Sequence, residues 1–285
     1  MTGLVTDLTL ARRLERAEAS ANVAFVESRE SCMPQSGAAW RDVAGTYAMF
    51  DGVGSPLTQT FGLGLFSSPN ADDLASLESF FTGRGADVFH EVAPLAAPEL
   101  LPMLSARGYH PVELTTVMHL ALEYGRLPAV RATEATIRRI DATELQRWAE
   151  ASAAGWGQAP ALADFMRDFG LVMGSSRGVS CFVAEFGGTI VGTGAMAMHD
   201  GVALLAGAST IPEHRGRGVQ SALLRARLEY AVAHGGRIAM MGAAPGSTSQ
   251  TNAERQGFRI AYTRTKWQLA HGQHAATHPS PPALP

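Results

Sequence analysis

The run Arg215-Gly216-Arg217-Gly218-Val219-Gln220 constrains this chain more than any other stretch. It follows an apolar segment, 202–211. It opens an amphipathic one, 219–234, in which Val219, Leu223, Ala226 and Tyr230 share a helical face. A strand that enters a glycine loop and leaves as a helix makes an anion site at the turn. The first N–H groups of the helix have no intrahelical partners, and the dipole there is positive. Glycine lets phosphate oxygens approach the backbone where a Cβ would stand in the way. Arg215 and Arg217 add charge and forked donors suited to a diphosphate. The segment therefore reads as the cradle of a phosphorylated cofactor.

Around this loop the C-terminal half alternates short apolar strands with amphipathic helices. Strands are expected at 136–140, 179–186, 189–198, 202–211 and 238–241, with the last strands within 258–269. Gly187-Gly188 marks a hairpin, Pro212 stops a strand, and Gly235 and Gly257 close helices. The N-terminal half repeats the order: a long helical stretch at 7–29, strands at 44–50 and 58–66, a helix at 72–82, a strand at 88–92 and a helix at 97–107. The interval from Gly83 to Gly108 nearly matches that from Gly235 to Gly257, which implies duplication at the scale of a whole domain. The expected division is 1–127, 131–269 and a disordered tail, 270–285, rich in His, Pro and Ala. In place of the arginine-glycine loop the first copy has Ser67-Ser68-Pro69-Asn70-Ala71-Asp72-Asp73. Its two aspartates would occupy the positive helix end and repel a diphosphate, so this copy is expected to bind no cofactor.

Composition narrows the partners. A net charge of −3 and a pI of about 6.3 give no electrostatic case for nucleic acid or an anionic membrane. No apolar run approaches the length needed to span a bilayer, and the N-terminus lacks the apolar core of a signal peptide. A cytoplasmic protein is expected, monomeric or homodimeric. Lys266 is the only lysine, so lysine chemistry has one possible address. Cys32 and Cys181 lie far apart and read as unpaired thiols. His271, His274 and His278 sit in the tail, where nothing imposes a rigid metal site, and no metal is expected.

With these residues in view, the C-terminal half resembles the Gcn5-related N-acetyltransferase (GNAT) superfamily. Arg215 to Gln220 is similar to the family's Gln/Arg-x-x-Gly-x-Gly/Ala signature. The block from Pro245 to Phe258 is similar to its fourth-helix region. The resemblance covers about 136–269, and the N-terminal half resembles a degenerate copy. It implies an α/β (α+β) fold of two tandem GNAT-like domains, each a mixed, mostly antiparallel sheet flanked by helices. The cofactor implied is acetyl-CoA. Gly216, Arg217, Gly218, Val219, Gln220 and Ser221, with Arg215, would hold the diphosphate. Ser209, Thr210 and Ile211 would pair with the pantetheine arm, and an N–H near Thr210 would polarise the thioester carbonyl. Asn252 would lie beside the pantetheine or the leaving thiol, and Trp156 and Gln158 would line the acceptor pocket.

The sequence departs from the family pattern at three points. Gln220 stands where Gly or Ala is usual, so its side chain must turn away from the phosphate. Ala253 replaces the frequent tyrosine acid, and the strand before the loop has no carboxylate to act as base. Tyr262 is the candidate acid that remains, although its β spacing equally suits a packing role. Ordinary readings stand beside the other assignments too: Trp156 as core, Asn252 as a turn or capping residue, His199 and Asp200 as a solvated hairpin tip. The function expected is transfer of an acetyl group to a small-molecule amine or peptide amino group by direct attack. The alternatives are a non-catalytic coenzyme A sensor or scaffold and transfer of a larger acyl group.

Overall fold

A computed structural model describes residues 5–123, 127–128, 133–155 and 160–270. The chain divides into two compact units. Unit 1 is Met1–His119 with the chain from Gly242 onward, and unit 2 is Leu120–Met241.

Unit 1 opens with α1 (Leu8–Cys32), started by the Asp7 carboxylate accepting the Leu10 N–H at 2.8 Å. Then come β1 (Ala39–Val43), β2 (Thr46–Phe50), β3 (Gln59–Phe61), α2 (Ala71–Thr82), β4 (Phe89–Val92), α3 (Leu100–Ala106) and β5 (Tyr109–Ala121). Leu74, Leu77, Phe80 and Phe81 of α2 and Leu100 and Leu104 of α3 bury against Ala48, Phe50, Val88, Val92 and Tyr109 to form its core. Two expected strands proved shorter. The 44–50 segment holds the Ala44-Gly45 turn that joins β1 to β2 and then β2 itself, and 58–66 is a strand only to Phe61, followed by glycine turns at Gly62 and Gly64.

Unit 2 contains β6 (Thr136–Arg139), α4 (Leu145–Ala154), α5 (Pro160–Ser175), β7 (Val179–Phe186), β8 (Thr189–His199), β9 (Val202–Thr210), α6 (Val219–Ala233) and the start of β10 (Ile238–Ala243). Its strand order is β10-β9-β8-β7-β6. The pairing is antiparallel except for β9 and β10, whose parallel register matches Ile238–Met240 with Val202–Leu204. Trp148 of α4 is fully buried, and its indole N–H donates to the Phe182 carbonyl at 3.0 Å.

After β10 the chain forms α7 (Thr248–Arg255) and β11 (Arg259–Leu269). The sequence-based division assigns this last strand to the C-terminal half. Its hydrogen bonds are made instead in unit 1, where it lies antiparallel between β4 and β5 in the order β1-β2-β3-β4-β11-β5. Charge keys it there. The buried Arg264 guanidinium grips Glu18 with two hydrogen bonds, 2.7 and 2.8 Å. Its Nε makes an ion pair 2.9 Å from Glu91, off the line of a hydrogen bond, and Lys266 reaches Glu113 at 2.8 Å. Such an arrangement is strongly register-specific, because a shift of one residue would bury these charges without partners.

Glu15 lies in the same cluster. Burial raises its pKa to about 7, against the opposing pull of Arg264. A carboxyl whose folded pKa exceeds its unfolded value contributes stability that is complete below pH 4.5 and lost as pH rises through about 7. His90 acts in the opposite sense, since burial lowers its pKa to about 3. The Glu15 contribution is therefore isolated by difference. The melting temperature of the wild type minus that of Glu15→Gln should fall steadily between about pH 5 and pH 8. A difference independent of pH would contradict the assignment.

Candidate functional site

Helix α6 closes on β8 because that strand offers glycines where the helix arrives. A Cβ on Gly192 would lie 2.6 Å from Val219 Cγ1 and 3.3 Å from Leu223 Cδ1. One on Gly194 would lie 2.9 Å from Arg227 Cζ. Successive residues alternate between sheet faces, so Gly192 and Gly194 clear a single track for the helix. The approach sets where α6 begins and what stands at its first turn.

That first turn is open. Gly216 and Gly218 have φ of 75° and 78°, in the left-handed region that favours glycine. Gly218 is the N-cap residue, and no side chain caps α6. The first N–H groups of Val219, Gln220 and Ser221 are thus left without a side-chain acceptor. Helix α2 of unit 1 is built the other way. Asn70 accepts from the Asp72 and Asp73 N–H groups at 2.9 Å each, and Asp73 accepts the Asn70 N–H in return. Its positive end is already satisfied and carries two carboxylates.

The two loop arginines take different positions. Arg215, although exposed, folds back on the backbone, its Nε donating to Thr210 O at 3.2 Å and its Nη2 to Gly155 O at 2.9 Å. Arg217 stays exposed, its Cζ 4.1 Å over the Phe186 ring and its Nη1 3.3 Å from His214 Nδ1. Gln220 folds back onto β9, its amide donating to Ser209 O at 2.6 Å and Thr210 Oγ1 at 2.7 Å. The carboxamide is therefore held at the strand, away from the helix start.

The end of β9 supplies an open edge. Its register with β10 ends at Leu204, whereas pairing with β8 continues to Thr210. The Ile211 N–H donates to Val191 O at 3.0 Å, toward β8. Successive amides of a strand face opposite edges, so the Thr210 N–H faces the side away from β8. Ser209 is nearly buried, its hydroxyl 3.0 Å from Thr193 Oγ1. Gly155, at the end of α4, is a residue that sequence reasoning missed. A Cβ there would lie 2.5 Å from Ser209 Oγ and 3.0 Å from the Thr210 nitrogen. Only a glycine lets this turn close on β9. No periodicity flags it in the sequence.

The remaining expected site residues are Trp156, Gln158, Asn252 and Tyr262. Trp156 and Gln158 lie outside the described residues. Asn252 is exposed on α7, in unit 1. Tyr262 requires a correction. It is buried in unit 1, its hydroxyl donates to Glu15 at 2.8 Å, and burial drives its pKa far above the phenol range. A phenol enclosed in this way and committed to a carboxylate is a packing residue, not a proton donor to a departing thiolate. Among the described residues no cluster of His, Cys, Asp and Glu could hold a metal, and no helix is long and apolar enough to cross a membrane.

Gly155→Ala should cost about 1–3 kcal/mol through overpacking against Ser209. Thermal unfolding of the variant measures this, and an unchanged melting temperature would refute the close contact.

Comparison with known proteins bears on the family and the fold. Residues 142–258 match the model of the acetyltransferase (GNAT) family. No curated protein matches the chain. Among solved structures, a GCN5-related N-acetyltransferase from Kribbella flavida is 18% identical with a TM-score of 0.61, covering 92% of this chain and 96% of its own. A tandem GNAT protein from the clavulanic acid biosynthesis pathway is 16% identical with a TM-score of 0.56, covering 83% of this chain and 80% of its own. A GCN5-related N-acetyltransferase from Sphaerobacter thermophilus is 18% identical with a TM-score of 0.55, covering 82% and 79%. At such identities the likeness is one of fold, and it extends along most of the chain. The match to the GNAT acetyltransferase family thus falls on residues 142–258, and over the rest of the chain the likeness is one of fold.

Proposed function

We propose that this protein is an N-acetyltransferase that moves an acetyl group from acetyl-CoA to a small-molecule amine or a peptide amino group. The observation that carries the reading is the uncapped, glycine-entered start of α6 beside the open end of β9. The N–H groups from Gly216 to Ser221 suit a diphosphate. Arg217 supplies an exposed positive charge, while Arg215 braces the loop through its backbone contacts. The edge at Ser209, Thr210 and Ile211 suits an amide-bearing arm laid along it in strand fashion. At its end, the Thr210 N–H would stabilise the oxygen that becomes negative as the amine attacks the thioester carbon. The amine nitrogen forms the new bond to the acetyl carbon, the carbon–sulfur bond breaks, and the amine's proton leaves as the thiolate is protonated. Positioning and the oxyanion contact are the contributions this site can make most directly.

A second reading, a coenzyme A sensor without turnover, is favoured by one observation. Ala253 stands where the family often has its acid, and Tyr262 is committed to Glu15. Gly218→Asp places a carboxylate at the helix start and a side chain at a φ of 78°. It should weaken acetyl-CoA binding by about 2 kcal/mol or more, roughly thirtyfold, in calorimetric titration. Undiminished affinity would refute the loop assignment. Release of free thiol on addition of amines separates enzyme from sensor: tight binding without amine-dependent release would favour the sensor.

A further inference from the structure

We propose that Arg227 is a positioning residue for the reaction, holding the bulge in β9 that aims Ala208, Ser209 and Thr210 toward the thioester. The inference rests on the reading of the site given above. Arg227 sits on α6, two turns into the helix, and is 3% exposed. It makes no ion pair with a carboxylate among the described residues. Its partners are backbone carbonyls: Nε donates to Leu223 O at 3.2 Å, and Nη1 to Ala195 O at 3.2 Å and Ala206 O at 3.3 Å. Burial draws its pKa down to about 10. A buried cation without an anion costs far more than an apolar side chain of the same size. Core packing alone therefore gives no reason for an arginine here.

The position of the guanidinium supplies the reason. The register of β8 and β9 shifts between Thr193, paired with Ser209, and Ala195, paired with Ala206. Gly207 and Ala208 thus face the single residue Gly194, and Gly207 takes a φ of 58°. Such a bulge interrupts the ladder and bends the strand. The guanidinium lies over Gly194, where any Cβ would meet its Cζ at 2.9 Å and its Nε at 3.0 Å. Its bonds go to the carbonyls of the last regular pair before the bulge. The bend is therefore tied to α6, the helix whose first turn holds the diphosphate. One side chain fixes the angle between the anion cradle and the strand end that presents the Thr210 N–H. A methionine would fill the space without tying the two together.

The test uses the full chain and two readouts, amide hydrogen exchange over 205–211 and steady-state kinetics with acetyl-CoA. In Arg227→Met the melting temperature should hold and exchange in 205–211 should rise about tenfold. With an amine that the wild type accepts, kcat should fall about tenfold to a hundredfold while the affinity for coenzyme A changes little. Arg227→Lys, which keeps the charge but not the fork, should fall between. Gly194→Ala, which crowds the guanidinium from the strand side, should reproduce the exchange signature and decides the matter if Arg227→Met does not fold. Unchanged exchange, unchanged kcat, or a loss of coenzyme A affinity in step with kcat would each overturn the proposal. If the wild type turns over no amine, the enzyme reading fails. The exchange arm still decides whether Arg227 holds the strand end.

Discussion

The approach of α6 to β8 is the constraint on which the proposed site depends. Gly192 and Gly194 have no side chains to keep the helix away, so Val219 and Leu223 pack directly on the strand and Arg227 reaches through to the bulge. With the helix seated there, its first turn must begin at the end of β9, and the chain between has room only for a short loop. Two glycines with positive φ make that loop possible and leave the helix start open. The proposed anion cradle and the strand edge thus arise from a single packing arrangement.

The contrast between the starts of α2 and α6 follows from local chemistry. Helix α2 is capped at its own start by Asn70 and Asp73, while no side chain caps α6. The first arrangement is the more stable helix start, worth about 1 kcal/mol for a capping side chain. Leaving α6 uncapped forgoes that stabilisation where an anion can supply it. Unit 1 has spent its charge elsewhere, in the cluster of Arg264 with Glu15, Glu18 and Glu91 that locks β11 into its sheet.

Local chemistry was legible in the sequence, and partners distant along the chain were not. The glycine loop, the hairpin at Gly187-Gly188, the strand 179–186 and the acidic start of α2 all appear where residue type and spacing place them, because each is decided within a few residues. The location of β11 is different. Its alternation identifies a strand, but the Glu15 and Glu18 carboxylates that receive Arg264 lie 249 and 246 residues away along the chain. The same separation hid the partner of Tyr262 and made it look available for catalysis. Gly155 and Gly194 were unreadable for another reason: they act through the absence of a side chain, which becomes meaningful only beside the group that would collide with it. Arg227 stands four residues after Leu223, on the apolar face of α6, and only the bulge opposite gives a charge there a purpose.

The most direct test of the central claim is a crystal structure of the full chain with coenzyme A. The account predicts one molecule per chain, its diphosphate on the N–H groups between Gly216 and Ser221 and its arm along Ser209 to Ile211. A diphosphate bound at the start of α2, near Asp72 and Asp73, would contradict it, and so would a cofactor held away from both helix starts.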